Sequence, residues 1–398
     1  MLQRPGKHLI FLMLAALLFL CGCSTAAPAP EDAALSVSTQ PDASSPTPAP
    51  TPEPTPEPTP EPTPEPTPQP TEWTLTDESA EEILALADYP SLKRIDAGEC
   101  REYEALLQLR QLLPDCEIHW QVPLQGERYP DDTAELTLSS TEGLEEAVAG
   151  LPALRFVDLT ACQPELDLMD RLYDRCPETE FLFTFTMGRE GYRQWEIRSD
   201  CTCFSTLWSG EESYRYNEED YYPLLRFCRH LRALDLGHSD IRDISLIGEH
   251  PDLRVLILAD NPHLTDIRPL NNLHELTFLE LFLCFDIDDF SCLYGMPHMI
   301  DLNLSYCKNL DSVAFLDNMP DFSYGWFRNT KVTNDMIKPY LEAREGLRFV
   351  VGSPEDPSST LYGWRGTARA KEIRHAFYHW REVEDFRAWD DIVYRSEK

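Results

Sequence analysis

The sequence predicts an α/β solenoid, with short strands of successive coils aligned as a parallel sheet and a small helical cap at the C-terminus. Three observations carry this. A frame Leu-x-x-Leu-x-Leu-x-x-polar recurs every 22 or 23 residues from Leu231. A second apolar set follows each frame at a fixed distance. Upstream, a weaker self-similarity has a period of about 62 residues. One coil cannot bury both of its faces, so such units gain stability only by stacking on neighbours.

Residues 1–23 precede the array. Arg4 and Lys7 stand before an apolar run from Leu9 to Leu20, a length suited to a signal peptide and too short to span a bilayer. The run ends in Leu20-Cys21-Gly22-Cys23-Ser24, which resembles the bacterial lipoprotein signal, although Cys21 stands where a small residue is usual. The resemblance implies cleavage before Cys23, acylation of its thiol (palmitate among the chains) and anchoring to the cell membrane. Residues 24–71 hold 16 of the 33 prolines and seven acids without a base, ending in the TPEPTPEPTPEP run. This composition cannot bury a core and predicts a disordered linker reaching on the order of 150 Å when extended.

Residues 72–230 are expected to form divergent coils of the same array. Leu92–Gly126 lies over Leu154–Gly188 at an offset of 62, matching Ile95 with Val157, Asp96 with Asp158 and Cys100 with Cys162. Each copy continues with a helix-period stretch and an alternating strand: Ile118, Trp120, Val122 in one and Phe181, Phe183, Phe185 in the other. Third strands are expected at Leu136–Leu138 and near Trp195–Ile197, an insertion near 200–220, and a partial N-terminal cap over Asp77–Tyr89. Residues 231–352 hold the regular coils, whose leucines are Leu231, Leu234 and Leu236; Leu253, Leu256 and Leu258; Leu276, Leu279 and Leu281; Met299, Leu302 and Leu304; and more loosely Phe322, Gly325 and Phe327. The polar positions are Ser239, Asn261, Cys284, Cys307 and Thr330. Residues 353–398 predict a C-terminal cap: a turn-rich segment, a helix from about Thr367 to Tyr378, and Trp364, Phe377, Trp380, Phe386 and Trp389 to cover the last coil.

In these residues the chain resembles the leucine-rich-repeat family, in the short style of bacterial surface proteins. Alternation over Leu-x-Leu makes a strand buried on one face, and the polar residue satisfies backbone groups at the turn that follows. The resemblance implies that residues beside the strand leucines face outward on the concave sheet of a horseshoe and hold a partner. Its candidate site is Asp96, Asp158, Asp235, Ile257, Phe278, Glu280, Phe282, Asn303, Tyr306, Tyr324, Trp326 and Arg328. Acids dominate one half and aromatics the other, a pattern that favours a basic protein, peptide or glycan. Should the C-terminal segment fold over Tyr324 and Trp326, those two become core.

The charge of -35, from 69 acids against 34 bases, excludes nucleic acid as a partner, since a polyanion is repelled. Cys100, Cys162, Cys284 and Cys307, at the polar position, read as structural thiols, with a bridge through Cys201 or Cys203 left open. Solvated loops account for His230, His238, His250, His263, His274 and His298. Asp286, Asp288 and Asp289 lack the glycine and closing glutamate of a calcium loop. No catalytic, phosphate or dinucleotide motif occurs, so no enzyme activity, cofactor or metal is expected. The function expected is a lipid-anchored binding protein on the outer face of a Gram-positive cell. One alternative is an envelope scaffold docking another protein of the same cell; a weaker one is an enzyme using the insertion and the C-terminal segment.

Overall fold

The computed structural model describes residues 69–98, 100–188, 194–206, 221–352 and 367–379. The signal segment with Cys23, the linker up to 68, residues 207–220 of the expected insertion, the turn-rich stretch from 353, and Trp364, Trp380, Phe386 and Trp389 lie outside them. The chain divides into Met1–Pro66 and Thr67–Lys398, and all that follows concerns the second unit.

Its strands form three separate parallel ladders rather than one. In the first, β1 (Glu72–Thr74), β2 (Arg94–Asp96) and β3 (Glu117–His119) align Trp73, Ile95 and Ile118. Here α1 (Ala80–Ala85) connects β1 to β2, so Asp77–Tyr89 is a coil connector and not a cap. The helix α2 (Tyr103–Leu112) connects β2 to β3. An antiparallel hairpin follows, β4 (Gln121–Leu124) against β5 (Glu127–Pro130). Its two-residue loop, Gln125-Gly126, has φ of 54° and 86°, the left-handed pair that tight hairpins require. The pattern then repeats. A second ladder of β6 (Glu135–Thr137), β7 (Phe156–Asp158) and β8 (Glu180–Leu182), linked by α3 (Leu144–Ala147) and α4 (Leu166–Arg175), leads to the hairpin β9 (Thr184–Gly188) and β10 (Gln194–Arg198). Two expectations change accordingly. Trp195–Ile197 lies in an antiparallel hairpin strand and not in a third parallel rung, and Leu136 opens the second ladder instead of closing the first.

The third ladder has seven rungs: β11 (Cys203–Ser205), β12 (Ala233–Asp235), β13 (Val255–Ile257), β14 (Phe278–Glu280), β15 (Asp301–Asn303), β16 (Tyr324–Trp326) and β17 (Arg348–Val350). Phe204, Leu234, Leu256, Leu279, Leu302, Gly325 and Phe349 are in register along it. β11 falls inside the region expected to fit no coil. In register, Cys201, Phe204 and Thr206 take the places of Leu231, Leu234 and Leu236, so a frame built on leucine does not register it. At β16 glycine replaces the central leucine, and the rings of Phe327 and Phe349 fill the space: a Cβ on Gly325 would meet them at 2.9 and 2.8 Å.

Each coil leaves its strand the same way. His238, Asp260, Leu283, Tyr306 and Asn329 all have φ between 55° and 70°, and their N–H groups donate to the neighbouring coil, as from Asp260 to Phe282 O at 2.6 Å. The polar residue next to them closes the turn. Fully buried Asn261 accepts from Ser239 N (3.2 Å) and Ile241 N (2.9 Å) and donates to Leu236 O (3.1 Å) and Leu258 O (2.9 Å). Cys284 and Cys307 use the thiol instead, donating to Leu258 O at 3.2 Å and Leu281 O at 3.3 Å. Burial pushes the Cys284 thiol up to about 12 and Cys307 well above its ordinary value. All ten cysteines among the described residues are free.

On the return path, short 3₁₀ turns stack on one another. Asp243, Asp266 and Asp289 each accept from the backbone N–H two residues on, at 2.8 to 2.9 Å. Asp289, weighed as a calcium ligand, therefore has a structural task. His250 is not a solvated loop residue: it is buried in this layer, and burial pushes its pKa down to about 4. After α5 (Asn334–Ala343) and β17, the last described element is α6 (Ala368–Tyr378), started by Thr367, whose Oγ1 accepts from Ala370 N at 3.2 Å.

Candidate binding face

The face of each ladder opposite the leucine core carries the residues flanking the central position. In the first two ladders it is accessible: Asp96 is exposed and Asp158 is half-buried. Both carboxylates also work locally. Asp96 Oδ1 accepts from Gly98 N at 3.0 Å, and Asp158 Oδ1 accepts from Thr160 N and Oγ1 at 2.8 and 2.7 Å. Those bonds from Thr160 lower the Asp158 pKa. Asp235 and Asn303 repeat the device with Gly237 N (3.0 Å) and Ser305 N (3.1 Å). Part of the acidic column thus exists to turn the chain out of the strand, whatever else it does.

On the seven-rung ladder the same face is not open to solvent. Asp235 and Glu280 have no exposed surface, and Ile257, Phe278, Phe282, Asn303, Trp326 and Arg328 are buried. Tyr306 and Tyr324 are half-buried. The expectation of a free row of side chains therefore holds only at the margins. Tyr306 stands edge-on to Phe282 and Phe285, with ring centroids 5.6 and 6.4 Å apart, and Lys308 lies over Phe285 at 4.6 Å.

Among the described residues, α6 is the element seated on this face. Arg369 pairs with Asp301 on β15 at 3.2 Å, with 8% and 9% of the two side chains exposed. α6 also packs against β11. Arg374, between them, is partly desolvated, which lowers its pKa. Its bond to the Tyr378 hydroxyl and the nearby carboxylates of Asp235 and Glu280 more than offset this. The dimensions agree: 11 residues of helix span about 16 Å, and four strand spacings from β11 to β15 span about 19 Å. The helix crosses the strands, with Arg369, Ala370, Ile373 and Phe377 buried on one side. Its contacts run from β15 to the first rung, β11, so it is not centred on the last coil.

Arg369 and Arg374 were not among the residues expected to matter, and Asp301 reads in the sequence as an outward strand position outside the candidate site. The available signal was charge: residues 367–379 carry Arg369, Lys371 and Arg374 against the single acid Glu372, in a chain of net charge -35. Elsewhere, half-buried Arg110 on α2 pairs with buried Asp131, just past β5, and lies over the Trp120 ring at 4.3 Å. No cluster of three metal-ligating side chains and no helix long and apolar enough to cross a membrane occurs among the described residues.

Parallel rungs 22 or 23 residues apart from β12 to β16, a leucine-lined core and a polar turn position are the features of a leucine-rich-repeat fold. No family model and no curated protein matches the chain. Among solved structures it is similar to the internalin InlF of Listeria monocytogenes, with 14% identity over 69% of this chain and 66% of that one at a TM-score of 0.32. It is similar to internalin InlC2 of the same organism, at 16% identity, 56% and 77% coverage and a TM-score of 0.28. The functional domain of Listeria InlJ, described as including a cysteine ladder, gives 12%, 67% and 50% with a TM-score of 0.29. The chain thus covers just under two thirds of InlF and half of the InlJ domain. At these scores the likenesses carry no functional argument.

Proposed function

We propose that this chain is a lipid-anchored, extracytoplasmic binding protein that recognises a protein, peptide or glycan partner through the sheet face opposite its leucine core and catalyses no reaction. Cys23 carries the anchor, residues 24–71 hold the repeats away from the lipid, and the cell is Gram-positive. The single observation that supports the reading is that this face already accommodates a charged helical segment, with Arg369 paired to Asp301. Strand edges and turns supply geometry, and the outward column supplies charge.

Two experiments test it. Cys23→Ala moves the protein from the membrane fraction to the medium if the anchor is real; unchanged fractionation sinks the anchor. Photo-crosslinkers placed at Asp96, Asp158, Tyr306 and Tyr324 in intact cells are expected to trap a partner. Adducts only from the 3₁₀ layer on the opposite side would overturn the assignment of the face. The envelope-scaffold reading is favoured by the acidic column alone, and predicts that the trapped protein comes from the same cell.

A further inference from the structure

We infer that α6 is a resident stand-in for the partner: the seven-rung face recognises a basic amphipathic helix, and a partner helix of that chemistry replaces α6. This rests on the binding role proposed above and names the ligand class for the same face.

The recognition chemistry is visible in the contact the chain makes with itself. Asp235 on β12 and Glu280 on β14 share one outward column, Asp301 on β15 stands two residues earlier in the neighbouring outward column, and all three are buried. Buried carboxylates are costly unless cations accompany them. Arg369 meets Asp301, and Arg374, one and a half turns further on, stands near Asp235 and Glu280. Between and beyond them Ala370, Ile373 and Phe377 supply the apolar contact. The pattern required of a ligand helix is therefore Arg, small, Ile, Arg, Phe at positions 1, 2, 5, 6 and 9.

Two features make α6 replaceable. The leucine core lies on the other side of the sheet, where Leu234, Leu256, Leu279 and Leu302 are fully buried, so the rungs cohere without α6. An 11-residue helix is marginal alone in water, so α6 keeps its form only while docked. When it leaves, water solvates the three acids, which offsets part of the lost pairing.

Amide hydrogen exchange on the full chain tests this without any substitution. Arg374–Tyr378 are expected to exchange through an opening that leaves the amides of Leu234, Leu256, Leu279 and Leu302 protected. Adding a synthetic peptide of residues 367–379 in excess is expected to speed α6 exchange at least tenfold. A labelled copy of that peptide is expected to bind the Arg369→Ala/Arg374→Ala chain at least tenfold more tightly than the unaltered chain, and Asp301→Asn in that background to reverse the gain. Exchange of α6 only together with the sheet overturns the inference, as does equal binding of a peptide with glutamine at both arginine positions. Failure to trap any partner in cells would instead sink the binding role and leave the opening of α6 standing.

Discussion

At the polar position of each coil one side chain does the work of several backbone partners, and its chemistry sets the cost of losing it. Asn261 satisfies two N–H and two C=O groups in a fully buried turn. Asn261→Ala is expected to cost about 3 kcal/mol or more, since each buried group left unpaired costs about 1–3. Cys284→Ala, which removes one thiol bond, should cost about 1 kcal/mol; urea unfolding of the two variants measures the difference. His250 gives a pH test. It is buried with neither ring nitrogen hydrogen-bonded among the described residues, and its pKa falls to about 4 from an ordinary 6.5. The unfolded chain binds the extra proton between those values, so this contribution is fully present above pH 6.5 and is lost as pH falls toward 4. The loss is on the order of 3 kcal/mol. His250→Leu should flatten that part of the stability profile in thermal melts from pH 7 to 4.5; an unchanged slope would refute the assignment.

Stacking of elements is limited by the closest approach of backbone to backbone. A Cβ at Gly248 would stand 2.7 Å from Pro269 O in the next 3₁₀ turn, an atom that cannot move without moving its coil. Gly248→Ala is expected to cost about 1–3 kcal/mol and to show as a lower melting temperature, with exchange raised first at Leu246–Asn272. The rungs carrying leucine in the right frame were legible from the sequence, because period and chemistry coincide there. β11 and β17 were not, because Cys201, Phe204 and Thr206 fill the leucine places in one and Phe349 the central place in the other. The outward column was legible as a column. Its burial was legible only as a conditional cover over Tyr324 and Trp326, not over β11 to β15: a helix docked from residues 367–379 onto strands far earlier in the chain leaves no local trace beyond its excess of arginine and lysine.

In the unit Thr67–Lys398 the three ladders share no strand pairing, so side chains join them. Between the second and third, Phe227 is buried against Phe183, Phe185 and Tyr173, with ring centroids 5.7, 5.6 and 6.3 Å away. Arg226 clamps Asp170 beside them with two 2.8 Å contacts. Phe227→Ala is expected to cost about 3–5 kcal/mol and to split thermal unfolding into two calorimetric transitions, while a single unshifted transition would show that the junction lies elsewhere. The hairpins that separate the ladders have a further consequence. Glu72 and Glu135, Glu117 and Glu180, and Gln121 and Thr184 each stand 63 positions apart at matching places in the first two blocks. Each block closes its own strand pairing before the next begins. A gene of this design can gain or lose a whole block by unequal recombination without leaving a broken ladder behind, whereas removing one coil from the seven-rung sheet would shift every acid that faces α6.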